Sequence, residues 1–530
     1  MGQQKIPYTK TNQFSDLICD FLDQKEILRP FYHRFPELAA FKSQIQDKSQ
    51  NFSLEQRVVL TQQLEEQNKT LNLSAKSQAN IQALKQKTTF TVTTGHQLNL
   101  FTGPLYFLYK IIDVINLCQE LAIHYPEYNF VPIYWMASED HDFEEINHFR
   151  FFDKSFAWDT DHGGPVGRLS TENLSDLSEA LKNEWSGHVH GDQLLDWFQA
   201  AYAHESLAQA TRVLANNLFG EEGLVVVDGD DPVLKKAFLP VALKELNQQA
   251  CAHSINASTA ALTQLGYHKQ VHPREINLFY CEDTARGRVI ADGQGFVVKG
   301  SLKRFTAEEL QHDLEAHPER ISPNALLRPV YQELILPNLA YVGGAGELAY
   351  WLQLKKCFDD LSLVFPMLVL RTSVLLVPEK AQKKLEKINA SAANLFASAH
   401  DLSSFLIEKI TEIPIDFSPQ RKMLQEQFSV LYALAAQTDA SFVGAVSAQE
   451  QKQINGLNHL EKRLMKAQKR KHKDQLERLM ALRAELFPGG HLQERTQNMS
   501  QWYYVYGTDI VTLLKSEIKP LEFQFHILTI

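Results

Sequence analysis

The sequence predicts an α/β protein: a doubly wound core of parallel strands and helices, interrupted by an antiparallel insertion and followed by an α-helical coiled-coil domain. Three observations carry this. Apolar, β-branched runs break into glycine or acidic turns and lead into helical patterns, the signature of parallel crossover units. Residues 251–322 change to short strand patterns with a turn signal at Asp292-Gly293. Residues 379–486 are dominated by Ala, Gln, Glu, Lys and Leu with few glycines, a composition for long helices.

The elements follow in order. "TTFTVTTG", residues 88–95, is rich in β-branched residues and ends in glycine, as a strand running into a turn does. Pro104 suits a first helical position, and Leu105, Leu108, Ile112 and Ile115 fall on one face of a helix extending to about Glu120. A second strand is expected over 130–136 in "NFVPIYWMASEDHDFEEI". A third lies in "GLVVVDGDD", before a helix through Leu234, Phe238, Val241 and Leu246 that Pro240 should kink. The strand, glycine, helix pattern returns in "LILPNLAYVGGAGELAYW", and "LVFPMLVLRTSVLLVP" supplies the last buried strands. Leu457, Leu460, Leu464 and Ala467 keep a coiled-coil seam that lapses across "KRKHKD" and resumes at Leu476, Leu479, Leu482 and Leu486. "FPGG" stops the arm. The expected division is 1–250 core, first part; 251–322 insertion; 323–378 core, second part; 379–490 helical coiled-coil domain; and 491–530 returning to the core.

Composition narrows the class. Apolar content of 44% and charged content of 22% are ordinary for a soluble globular chain. The net charge of -10 argues against a general nucleic-acid binder. The basic run at 462–473 therefore reads as the solvated face of a long helix. Five scattered cysteines without C-x-x-C spacing predict a reducing compartment, no disulfide framework and no thiolate zinc site, and Glu139, His141 and His148 lack a metal-ligand spacing, so no tightly bound metal is expected. The polar N-terminus lacks the apolar core of a signal peptide, and the most apolar stretch is cut by Pro366 and Arg371. A cytoplasmic protein with no membrane contact is expected.

In open α/β sheets, ligands sit beyond the carboxyl ends of the strands. "TGHQLNLFTGP" is placed there: Gly95 and Gly103 would let backbone approach a ligand, while His96, Gln97 and Asn99 offer hydrogen bonds. It is neither a Walker A loop nor a G-x-G-x-x-G fingerprint. "SEDHD" follows the second strand at the same edge. Its carboxylates Glu139, Asp140 and Asp142 with His141 are candidates for a catalytic or binding role, or equally a helix N-cap cluster. "YVGGAGELAYW" places Gly343, Gly344 and Gly346 after a strand and Glu347 at a helix start, either for a phosphate or ribose contact or for close packing. Arg371 and Ser373 interrupt an apolar strand, so a ligand contact competes with a structural ion pair.

"TGHQLNLFTGPLYFLYK", "PIYWMASEDHDFEEI", "REINLFY", "YVGGAGELAYW" and "ELFPGGHLQER" together resemble the BshC family, the cysteine-adding enzymes of bacillithiol biosynthesis, in order and over nearly the whole chain. The resemblance implies a Rossmann-like core with connecting-peptide insertions, a layout similar to class I aminoacyl-tRNA synthetases, and a homodimer formed through the coiled coil. It also implies the substrates cysteine and glucosaminyl malate. A carboxylate does not acylate an amine unaided, so an activated acyl species, an adenylate or an acyl phosphate, is expected, with ATP as the energy source; ATP or ADP, with Mg²⁺, is the expected cofactor. In that scheme the turn from Gly95 to Asn99, with Gly103, holds phosphate or an oxyanion, and an acidic residue of "SEDHD" orients the amine or takes its proton. Some family members carry glutamine where His96 stands, which assigns His96 to positioning. The synthetase signatures H-I-G-H and K-M-S-K-S are absent, leaving two other classes open: a nucleotidyl or aminoacyl transferase with another acceptor, and a non-catalytic nucleotide-binding scaffold.

Overall fold

A computed structural model describes residues 2–161, 163–293 and 295–530. Five parallel strands form the central sheet: Thr89–His96, Asn129–Met136, Val225–Asp228, Asn338–Gly343 and Met367–Leu370. In space they run fifth, fourth, first, second, third, so the sheet grows one way from the first strand and then returns to grow the other way. This is the Rossmann order, and its switch point lies between the first and fourth strands.

Why these segments form this sheet follows from their residues. The first strand is buried at every position. Its threonine hydroxyls therefore need internal partners: Thr91 and Thr93 donate to Asn338 Oδ1 at 3.2 and 2.8 Å, and Thr94 to the Val342 carbonyl at 2.8 Å. Along the second strand, Ile133 and Trp135 pack on one face with Val225 and Val227, while Tyr134 and Met136 pack on the other with Val226. The helix Tyr106–His124, apolar around most of its circumference, crosses behind. It starts two residues after Pro104, which instead bridges to Asn498.

The long segment between the second and third strands holds a hairpin, His148–Phe151 with Lys154–Ala157, and the helices Ser175–Trp185, Val189–Tyr202 and Leu207–Phe219. After the third strand the helical pattern breaks into Pro232–Lys235 and Leu239–Gln248, with Pro240 in the first turn of the second piece. The insertion opens with a helix, Ala250–Gln264, where strands were expected. Its buried face, with Cys251, Ser254, Ser258 and Leu262 at helical spacing, packs beside Lys355–Asp360. The antiparallel sheet follows, in the order Arg304–Thr306, Gly295–Val298, Ala285–Asp292, Leu278–Glu282, Ile321–Pro323.

Beyond the core, Ser418–Ala435 and Ala440–Lys471 form a helical hairpin that buries Phe428, Ala435 and Val446. The predicted lapse at "KRKHKD" is a break at His472, after which Lys473–Leu486 runs back to the body. Leu460, expected in the seam, is 53% exposed. The final residues do return, to a separate sheet: Gln524–Thr529 lies parallel to Val374–Val377 and antiparallel to Gln3–Pro7.

The segment 493–498 ties this domain to the core. Glu494 accepts from Arg371 at 2.6 Å, from Ser373 Oγ at 3.1 Å and from the Val374 amide at 3.2 Å. Both Arg371 and Glu494 are buried, so removing either leaves an unpaired charge inside. The variant Glu494→Ala should lose about 3–5 kcal/mol, read as a lowered midpoint of urea denaturation; an unchanged midpoint would show that the pair does not hold the domains.

Candidate active site

A cavity of about 820 Å³ opens at the carboxyl ends of the first, second and fourth strands, at the switch point. Gly95, His96 and Gln97 line it from the first strand and turn, Glu139, Asp140 and His141 from the second, and Gly344, Gly346 and Glu347 from the fourth. The three predicted loops do meet.

The turn after the first strand is strained. Phe101, Thr102 and Gly103 have φ of 44°, 70° and 63°, where non-glycine residues each cost of order 1–3 kcal/mol. Surrounding bonds impose it: the Phe101 amide donates to Tyr202 Oη at 2.7 Å, and Asn498 Nδ2 donates to the carbonyls of Phe101 and Gly103 at 2.8 and 2.5 Å. Gly103 has no room for a side chain, because a Cβ there would lie 2.3 Å from Asn99 Cβ. Asn99 is thus packed behind the turn, bonded weakly to the Glu145 carbonyl at 3.5 Å, and neither it nor Gly103 lines the cavity. Gly95 serves a different need: a Cβ there would stand 2.9 Å from Tyr341 Oη.

His96 is buried against Tyr106 and Phe107, and among the described residues its Nε2 has no hydrogen-bond partner. Burial, aided by the nearby Lys110 charge, lowers its pKa to about 3, so the ring is neutral at physiological pH. Asp140 accepts from Gln97 Nε2 at 3.1 Å and from the His141 amide at 2.8 Å. Burial works against its ionisation, but the bonds from His141 and Gln97 win and hold the carboxyl well below the usual range. Glu139 differs: burial pushes its pKa up, opposed by Lys235 at 2.8 Å, which also bonds Asp230. Two adjacent carboxylates are thereby set apart in basicity. His141 accepts from Arg286 at 2.8 Å if its Nδ1 is unprotonated. Asp142 is exposed, sits at the start of Phe143–Ile146 without a side-chain capping bond, and does not line the cavity.

On the fourth-strand side, Gly343 is spent on packing: a Cβ would lie 2.8 Å from Leu348 Cδ1. Gly344 begins the helix Ala345–Trp351, and its amide donates to Glu347 Oε2 at 2.9 Å. Arg371 reaches the cavity wall but is committed to Glu494, and Ser373 bonds Glu494 away from the cavity. For both residues the structural ion-pair alternative accounts for the bonds present.

Of the cations around the cavity, sequence reading found Arg371 and missed the rest. Lys110 and Arg328 line the cavity with Arg371 from the core, Arg274, Arg286 and Arg288 from the insertion, and Arg495 from the C-terminal segment. Against these seven stand the carboxylates Glu139, Asp140 and Glu347. One signal was present: Lys110 interrupts the apolar run "LYFLYKII". The arginines of the insertion carry no local pattern and are assembled only by the fold. The basic run at 462–473 lies on the arm, mostly exposed, with Lys469 donating to Ser404.

Comparison with known proteins agrees with this layout. A family profile described as Bacillithiol biosynthesis BshC, N-terminal Rossmann-like domain, matches residues 1–372; one described as Bacillithiol biosynthesis BshC, C-terminal coiled-coil domain, matches residues 374–530. A relative from Flavobacterium johnsoniae, named "Putative cysteine ligase BshC", is 49% identical, with 99% of each chain covered. Relatives of the same name from Christiangramia forsetii and Cytophaga hutchinsonii are 49% and 37% identical, covering 99% and 98% of this chain and 98% and 97% of theirs.

The geometry of the strained turn gives a graded expectation. Gly103→Ala should destabilise the fold by at least about 2 kcal/mol through the clash and the positive φ. Asn498→Ala should cost about 1–3 kcal/mol by orphaning two carbonyls. Asp142→Asn should change stability by less than about 0.5 kcal/mol. Thermal denaturation of the three variants checks the ranking, which equal melting temperatures would refute.

Proposed function

Because this chain belongs to the BshC family of bacillithiol biosynthesis, we propose that it is a ligase joining the carboxyl group of cysteine to the amine of glucosaminyl malate. The observation that supports this reading is the cationic excess around a cavity that also holds two carboxylates of unlike basicity. Glucosaminyl malate brings two carboxylates and cysteine one. Cations on three sides suit them, and the Asp140 carboxylate suits an amine.

Amide formation needs an activated acyl group. ATP supplies it in this proposal, with Mg²⁺ entering as the nucleotide's counter-ion. The chain's own residues then act on the second step. The amine nitrogen uses its lone pair to form the C–N bond as the carbonyl π pair moves onto oxygen. When the C=O re-forms, the C–O bond to the phosphate-bearing group breaks, and that group leaves with the electron pair. Asp140 orients the amine, and Glu139, the more basic of the pair, receives its proton. Neutral His96 positions groups beside the Gly95 backbone.

A homodimer belongs to the same proposal. On the arm, Met423, Val430, Leu434, Phe442 and Leu460 are at least half exposed, more apolar surface than a lone helical hairpin normally leaves in water. A second copy of the arm would cover it. Light scattering should give twice the chain mass, falling to one chain in Val430→Glu/Leu434→Glu; one-chain mass for the wild type would refute the dimer. Purified protein given cysteine, glucosaminyl malate and ATP should form bacillithiol with nucleotide consumed, and no product with any nucleotide would remove the ligase reading.

A further inference from the structure

The buried lysine of the first crossover helix stands where the chemistry needs a positive charge. Lys110 is 5% exposed, in a helix whose other buried positions are nearly all apolar. Its ammonium donates to the Gly95 carbonyl at 2.7 Å and pairs with Glu347 Oε2 at 2.5 Å. Gly95 is the penultimate residue of the first strand and Glu347 lies in the first turn of the helix after the fourth. The ammonium thus bridges the two strand ends that flank the switch point. An ammonium has three N–H bonds, and these two partners take two of them. Lys110 lines the cavity, where the third can reach a ligand.

A purely structural role is a poor explanation. A buried ion pair is often no more stabilising than apolar residues of the same volume, and the buried neighbours of Lys110 on this helix are apolar except Asp113, which is taken up by Thr372. The Glu347 side of the pair is built to hold its charge. Burial would raise the Glu347 pKa, but Lys110, the Tyr341 hydroxyl at 2.6 Å and the Gly344 amide bring it below the ordinary value. Burial lowers the Lys110 pKa and Glu347 opposes it; Arg371, from the turn after the fifth strand, and Arg328, from the helix before the fourth, press it down further. His96 faces it as a neutral ring, and Tyr106 offers a π face 5.7 Å away.

We propose that Lys110 is a catalytic residue that donates its free N–H to the oxygen of the acyl group under attack, with Glu347 as the positioning residue that keeps it charged. The inference rests on the ligase reading above. The carbonyl π pair that moves onto oxygen when the C–N bond forms is stabilised there by the ammonium, and Lys110 loses no proton in the step.

The test uses the full chain. Lys110→Met should lower kcat by at least about 100-fold while both KM values stay within about threefold, the mark of an interaction made in the transition state. Activity should fall as pH rises through the Lys110 pKa. In Glu347→Gln, which removes the group raising that pKa, the alkaline limb should move to lower pH. A Lys110→Met kcat within threefold of wild type, or an unmoved limb in Glu347→Gln, would overturn the proposal. If wild type forms no bacillithiol, the ligase reading fails separately, and inorganic phosphate then serves as the anion probe in calorimetry. Lys110→Met should bind it about tenfold more weakly than wild type and than Lys462→Met on the arm; equal affinity, or no binding by wild type, would overturn the assignment.

Discussion

Between the strands Thr89–His96 and Asn338–Gly343 the sheet reverses its direction of growth; the helix after the first packs with Ala340 and Val342, and the helix after the fourth with Tyr341 on the other face. Such a reversal opens a crevice that no side chain of either strand can fill. The residues around it answer to that gap. Gly95 is small because Tyr341 Oη occupies the space beside it. Lys110 spans the gap to Glu347, and carboxylates of the second strand close one wall. Place the same side chains on a sheet without a reversal and they would be buried charges with nothing between them.

The cavity is not the property of one domain. The strained turn 101–103 and the turn carrying Arg371 are both held by 493–498, a short stretch delivered by the end of the coiled-coil arm. Gln493 satisfies both backbone groups of Leu376, and the Gln497 carbonyl accepts from Leu105. Arg495, from the same stretch, reaches the cavity. The helical domain is therefore mechanically continuous with the site, and the arm that carries the exposed apolar surface is one break, at His472, away from it.

Much of this was legible in the sequence where the signal is local. β-branched runs in the strands, glycine at their ends, Pro240 at a helix break and the lapse of the seam at "KRKHKD" each depend on neighbours in the chain. The meeting of "TGHQLN", "SEDHD" and "GGAGE" followed from strand-end position alone. What failed depends on distant partners. Asn99 was expected at the ligand and packs against Gly103; Asp142 was expected in the cluster and faces solvent; Ser373 is consumed by Glu494, 121 residues away. Arg286 and Arg288 have no motif because their place at the cavity comes from where the strand Ala285–Asp292 is laid. Lys110 was visible as an anomaly, a charge inside an apolar helix, whose purpose appears only once Glu347 stands opposite.

A ligase that consumes glucosaminyl malate leaves a chemical trace in the cell that no scaffold or unrelated transferase would leave. The most direct measurement is thiol profiling by mass spectrometry of cells lacking this chain. Glucosaminyl malate should accumulate and bacillithiol should vanish, both reversed by restoring the chain. Unchanged bacillithiol, or its loss without accumulated glucosaminyl malate, would contradict the assignment of the cavity to this reaction.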